Sequence, residues 1–185
     1  MIRTPNLLID NEMNLKVCDF GLSRFITGDK NNKTTLAKFR GTYCYMATEI
    51  YAKEQYSPKS GTVRVLQKSF PYICADIYSI GVILWEMIRK CLIGSYEKPF
   101  AEYKFIRYDI QIPVQAATKN LRPTIPITCP EVISQVIRAC WDSDPTRRPS
   151  SGILLQRFEQ IKKEYESNAK NWDKLREFAR KKHSE

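Results

Sequence analysis

The chain has 185 residues, 43% hydrophobic and 27% charged, a balance that fits one globular domain and excludes a largely disordered chain. Thirty Lys and Arg against twenty Asp and Glu give a formal charge of +10. The basic residues are scattered and no nucleic-acid-reading motif occurs, so a solvated basic surface is the expectation and nucleic acid is not an expected partner. The longest apolar run, Tyr78-Ser-Ile-Gly-Val-Ile-Leu-Trp85, stops at Glu86, far short of a membrane span. Met1-Ile-Arg-Thr-Pro5 carries no apolar signal segment, which leaves secretion unsupported. Six cysteines without a Cys-x-x-Cys pair, and His183 as the sole histidine, argue against zinc and for free thiols in a reducing compartment.

In chain order, residues 6–10 read as a short strand, 11–14 as a turn and 15–18 as a second strand, together a hairpin. Residues 23–40 are polar and without period, a long exposed loop. Residues 76–90 are helical, with Ile77, Ile80, Leu84, Met87 and Ile88 at helix spacing and Asp76 placed to cap the start. An amphipathic stretch surrounds residues 103–112. A helix over 130–140 carries Val132, Ile133, Val136, Ile137 and Cys140 on one side. Asp142-Ser-Asp-Pro-Thr146 breaks it. A last helix starts at Ser150 or Ser151 and runs through Leu154, Leu155, Phe158, Ile161 and Tyr165. Residues 167–185 extend it, with a weak stripe of Trp172, Leu175 and Phe178 that either packs on the domain or frays. The expected architecture is mainly α with one small β-hairpin near the N-terminus.

Five motifs then fall in order. Arg3-Thr-Pro-Asn-Leu-Leu-Ile9 places Asn6 thirteen positions before Asp19 of Lys16-Val-Cys-Asp-Phe-Gly-Leu22. Gly41-Thr-Tyr-Cys-Tyr-Met-Ala-Thr-Glu49, Asp76-Ile-Tyr-Ser-Ile-Gly81 and Cys140-Trp-Asp-Ser-Asp-Pro-Thr-Arg-Arg-Pro149 follow. The series resembles the large, C-terminal lobe of a eukaryotic protein kinase from about Arg3 to Tyr165, with the small N-terminal lobe absent. Gly41-Thr42 is similar to the substrate-side loop of serine/threonine kinases. Leu121-Arg-Pro-Thr-Ile-Pro126 and Cys140-Trp141 resemble the tyrosine-kinase-like group, which mostly phosphorylates Ser and Thr. On this reading residues 1–166 are a truncated kinase domain and 167–185 a charged helical tail.

The resemblance implies ATP and Mg2+ as cofactors. Asp19 would hold the metal that bridges the ATP phosphates, and Asn6 would give an amide oxygen to a second one; both are hard oxygen ligands. Arg3 stands where a lysine usually faces the transferred phosphate, keeping the charge with a different donor geometry. Leu8, with Ile83 and Met87 behind it, would form the lower half of the adenine sandwich. Gly21 would let Phe20 swing into the core. Thr42 would bond towards the catalytic aspartate. Thr27, Thr34 and Thr35 are phosphosite candidates, with Arg24, Lys33 and Arg40 as charge partners, or are simply polar loop residues. Glu49 and Arg148 match the family's buried ion pair, and Asp76 would brace the catalytic-loop backbone.

Several parts are missing. The catalytic aspartate belongs five positions before Asn6, where Met1 stands. No Gly-x-Gly-x-x-Gly occurs, and the phosphate-binding lysine and its glutamate partner are absent. Ala47-Thr-Glu49 replaces Ala-Pro-Glu, which relaxes the backbone. Residues 61–75 interrupt a pattern that is continuous without them: either a translated intron or a real surface loop. The expectation is therefore a serine/threonine-type kinase-like chain, inactive as given, in the cytoplasm, with a protein substrate or regulatory protein as partner and no membrane. The alternatives are a non-catalytic binding module of pseudokinase type, or a fragment of a longer active kinase.

Overall fold

The computed structural model describes residues 2–20, 43–55 and 70–184. The expected hairpin is present: β1 (Leu7–Ile9) pairs antiparallel with β2 (Leu15–Val17), with Leu7 opposite Val17 and Ile9 opposite Leu15. Asp10 builds its turn by accepting the backbone N–H groups of Glu12 and Asn14 on Oδ1, at 3.1 and 2.8 Å. The Asn14 N–H, the largest contribution, holds the Asp10 carboxyl below the usual range. The other main elements of the described chain are helices: α1 (Thr48–Gln55), α2 (Phe70–Ile93), α3 (Gln111–Thr118), α4 (Glu131–Cys140) and α5 (Ser151–Ser184).

Helix α2 is the axis of the molecule, touching α1, α4 and α5. Tyr78, Val82, Ile83 and Trp85 lie in one core cluster with Ile133 and Ile137 of α4, Tyr45 and Trp141. Ile77 joins Val136, Cys140 and Leu154 in a second. Each large apolar side chain removed from water in this way contributes about 1.5–3 kcal/mol. The approach of α2 to α4 is close because Gly81 has no side chain: a Cβ there would stand 2.7 Å from Cys140 Cβ.

Two expectations, on Asp76 and on residues 61–75, need correction, and three other stretches gain detail. Helix α2 starts at Phe70, so Asp76 lies inside it and does not cap it. Pro71 sits in the first turn, where its missing N–H is no loss, and helix growth from there costs little. The segment 61–75 is therefore not uniformly foreign to the fold: its last six residues are helical, and Ala75 is in the core. Residues 61–69 lie outside the described residues. Residues 103–110 form successive turns and α3 begins only at Gln111. There the Gln111 Oε1 accepts the N–H groups of Arg107 and Tyr108 at 2.7 and 3.0 Å and fixes the turn before the helix. In α5, Leu155 is exposed because it follows the buried Leu154 by one position, about 100° round the helix. Finally, the helix breaks at Asn168 (φ −137°, ψ 30°), and the part beyond it packs on the domain through Trp172 and the buried Ala179, while Phe178 is exposed. Arg180 Nη2 donates to the Cys91 carbonyl at 3.2 Å, which fastens this segment to the end of α2.

Candidate active site

The hairpin determines the site. Asn6 precedes β1 and Asp19 follows β2 by two residues, so pairing of the strands brings the two together. The Cys18 N–H donates to the Asn6 carbonyl at 2.9 Å and extends the ladder to the edge of the site. Asn6 Nδ2 then donates to Asp19 Oδ2 at 3.2 Å. Arg3 Nη2 donates to the same oxygen at 2.7 Å. Asp19 adopts a left-handed backbone (φ 61°), which Asp tolerates better than most residues. Asn6 is buried, whereas the Arg3 and Asp19 side chains keep 30% and 45% of their exposure.

Leu8 is 55% exposed, pairing with Lys16 across the hairpin. Ile83, expected behind it, is inside the core cluster, and Met87 is exposed. Phe20 is not swung into the core: it is 66% exposed and belongs to neither core cluster of the described residues, while Ile2 and Leu7 supply the apolar anchors instead. Thr42, Gly21, Thr27, Thr34, Thr35, Arg24, Lys33 and Arg40 lie outside the described residues.

The Glu49–Arg148 pair is formed as expected, with Nη1 and Nη2 donating to the two carboxylate oxygens at 2.7 and 2.8 Å. Arg148 also donates to the carbonyls of Cys74 and Asp142, both at 2.9 Å, and its guanidinium lies 5.1 Å from the Tyr78 ring centre.

Sequence reasoning missed Glu86. It ends the apolar run of α2, yet it is buried, and three hydroxyls donate to it: Tyr45 at 2.9 Å, Tyr96 at 2.8 Å and Thr4. It ties the segment carrying Arg3 and Asn6 to the turn Tyr43–Tyr45 and to the core helix. Burial pushes the Tyr45 and Tyr96 phenols above their ordinary range, so each stays a donor. The available signal was a lone carboxylate in an apolar helix, which needs polar partners to be buried.

Chemically, the Asn6 amide and Asp19 carboxylate offer hard oxygen atoms. Among the described residues no group of three or more His, Cys, Asp or Glu could hold a metal. Two protein oxygens suit Mg2+, which keeps several waters and shares substrate phosphates, and do not suit zinc. A protein-kinase-domain model matches residues 2–164. The chain belongs to the protein kinase domain family. Kinases of this family generally use ATP and Mg2+ and act on proteins, and the oxygen donors at Asn6 and Asp19 fit that metal. Three curated relatives come from Dictyostelium discoideum. Stress-activated protein kinase alpha is 46% identical over 174 residues, 94% of this chain and 25% of that protein. A probable serine/threonine-protein kinase is 41% identical over 97% of this chain and 7% of its own length. Ankyrin repeat-containing protein kinase A is 34% identical over 93% of this chain and 11% of its own length. The chain thus spans a quarter or less of these kinases. Among the described residues no helix is long and apolar enough to cross a membrane.

Proposed function

We propose that these 185 residues are the large-lobe part of a serine/threonine-type kinase of the tyrosine-kinase-like group, acting on a protein substrate in the cytoplasm, and that they do not transfer phosphate unaided. The observation that carries the reading is the convergence of Asn6 and Asp19 at 3.2 Å on the two ends of the hairpin. A relative named as a probable serine/threonine-protein kinase supports the serine/threonine type.

In this reading Asp19 and Asn6 hold Mg2+, which when bound neutralises charge on the ATP phosphates. Arg3, on the same edge, orients the transferred phosphate through its guanidinium fork. Leu8 presents an apolar shelf to the adenine ring. Thr42 bonds towards the catalytic aspartate. Glu86, through Thr4 and Tyr45, keeps the Arg3–Asn6 segment seated on α2. Nothing in these 185 residues supplies the aspartate that positions the acceptor hydroxyl or the glycine-rich clamp on the phosphates. Half a cleft buries too little of a nucleotide for tight binding.

The test is incubation of the purified chain with labelled ATP, Mg2+ and a generic Ser/Thr substrate. Transfer at background level is expected, and turnover that Asp19→Ala abolishes overturns the inactivity. A second reading, a non-catalytic binding module, is favoured by the exposed Leu8, Ile9, Leu15 and Phe20 on and beside the hairpin. Monodisperse monomer at high concentration in light scattering argues against it. The third reading, a piece of a longer active kinase, is decided by coding sequence upstream of Met1 read for His-Arg-Asp and a glycine-rich loop.

A further inference from the structure

One oxygen of the site carries two donors. Asp19 Oδ2 accepts from Arg3 Nη2 at 2.7 Å and from Asn6 Nδ2 at 3.2 Å. The first is a charge-assisted bond of the short, strong kind. Arg3 is brought there by the local chain: its carbonyl accepts the Asn6 N–H at 2.9 Å, and the next residue, Thr4, is fixed to the buried Glu86. The guanidinium is nevertheless partly exposed, with 30% of its side-chain surface open to solvent.

We infer that Arg3 is a built-in competitor of a divalent cation for Asp19, and so sets the cation affinity of the site. The inference rests on the reading of Asp19 as a metal ligand. The chemistry is direct. A divalent ion of this class bonds oxygen at about 2.1 Å and carries two positive charges. A guanidinium nitrogen at hydrogen-bond distance from the same oxygen is then a like charge in contact. Cation binding at Oδ2 therefore has to drive Arg3 off, and the displaced guanidinium becomes available to an anion beside the metal. The exchange breaks no covalent bond. Its scale is set by the half-exposed pair, since solvent screens the attraction that the cation must overcome.

The experiment titrates the full chain with Mn2+ alone and follows the free-ion signal by electron paramagnetic resonance. Four proteins are compared: the unaltered chain, Arg3→Gln, Arg3→Met and Asp19→Asn. Arg3→Gln keeps a neutral donor and Arg3→Met keeps bulk without polarity, so two different side chains test the same charge; circular dichroism checks that each is folded. Both are expected to bind Mn2+ about two- to fivefold more tightly than the unaltered chain, and Asp19→Asn is expected to lose the binding. If Asp19→Asn loses binding while both Arg3 variants bind with unchanged or weaker affinity, the competition is refuted and the metal-ligand reading stands. If Asp19→Asn binds as well as the unaltered chain, or none of the four binds, the metal-ligand reading itself falls and the inference with it.

Discussion

Glu49→Ala removes one partner of a buried ion pair, and its cost can be worked from the surroundings of the other. The Arg148 side chain has 0% exposure and Glu49 15%, so solvent reaches the pair only slightly and only at Glu49. Without Glu49, the guanidinium keeps its bonds to the Cys74 and Asp142 carbonyls and its place over Tyr78, but its charge is stranded. Breaking such a pair costs about 3–5 kcal/mol, and the slight exposure of Glu49 places this one near about 3 kcal/mol. With a typical urea slope near 2 kcal/mol/M, the unfolding midpoint falls by about 1.5 M at unchanged slope. The double substitution Glu49→Leu with Arg148→Met strands no charge. It leaves two carbonyls without their donor, at about 1 kcal/mol each, and so costs less than Glu49→Ala alone. Glu166→Ala, which breaks the exposed pair of Glu166 with Lys162 at 3.9 Å, is the control and costs under about 0.5 kcal/mol. Urea titrations monitored by far-ultraviolet circular dichroism read all three. A Glu49→Ala cost below about 1 kcal/mol, the level of a surface pair, would refute the reasoning.

Three further outcomes are expected. Gly81→Ala adds a Cβ at 2.7 Å from Cys140 Cβ and 3.3 Å from the Trp141 nitrogen, so α2 and α4 must separate; it destabilises by about 1–3 kcal/mol, whereas the same change in an exposed helix stabilises. A raised melting temperature in this variant contradicts the close approach. Burial pushes the Cys44, Cys129 and Cys140 thiols from 9.0 up to about 12, so the unfolded chain releases these protons first as pH rises. Their contribution is fully present below pH 9 and is lost towards pH 12; the urea midpoint therefore falls as pH rises from 9.0 towards about 12, and a flat midpoint refutes it. In the same protein, iodoacetamide at neutral pH is expected to reach the exposed Cys91 and spare the buried Cys44 and Cys140 until denaturant is added, as peptide mass mapping will show.

What could be read from the residues, and what could not, divides along physical lines. The hairpin was legible because its strands flank a turn whose chemistry is local: Asp10, Glu12 and Asn14 build it from their own side chains and backbone. Helix α4 was legible because Ile133, Val136, Ile137 and Cys140 repeat at the helical period and all lie buried. The pairing of Glu49 with Arg148 spans 99 residues, so no periodicity could join them; only the resemblance did. Glu86 was opaque for the same reason in sharper form, since Thr4 and Tyr45 come to it from 82 and 41 residues away. The start of α2 was misplaced because Asp76 is a good capping residue, yet it can equally well stand inside a helix, as it does here beyond the first turn. Phe20 was expected inside because the resemblance implied it, but side-chain burial depends on what chain is packed around it, which a motif cannot specify.

A crystal of the 185-residue chain soaked in Mn2+ tests most directly whether the hairpin ends form a metal-holding site. An anomalous peak at about 2.1 Å from an oxygen of Asp19 and within bonding or water-bridged reach of the Asn6 amide is the expected result. Ordered density for both side chains with Mn2+ bound only elsewhere, or nowhere, would contradict it.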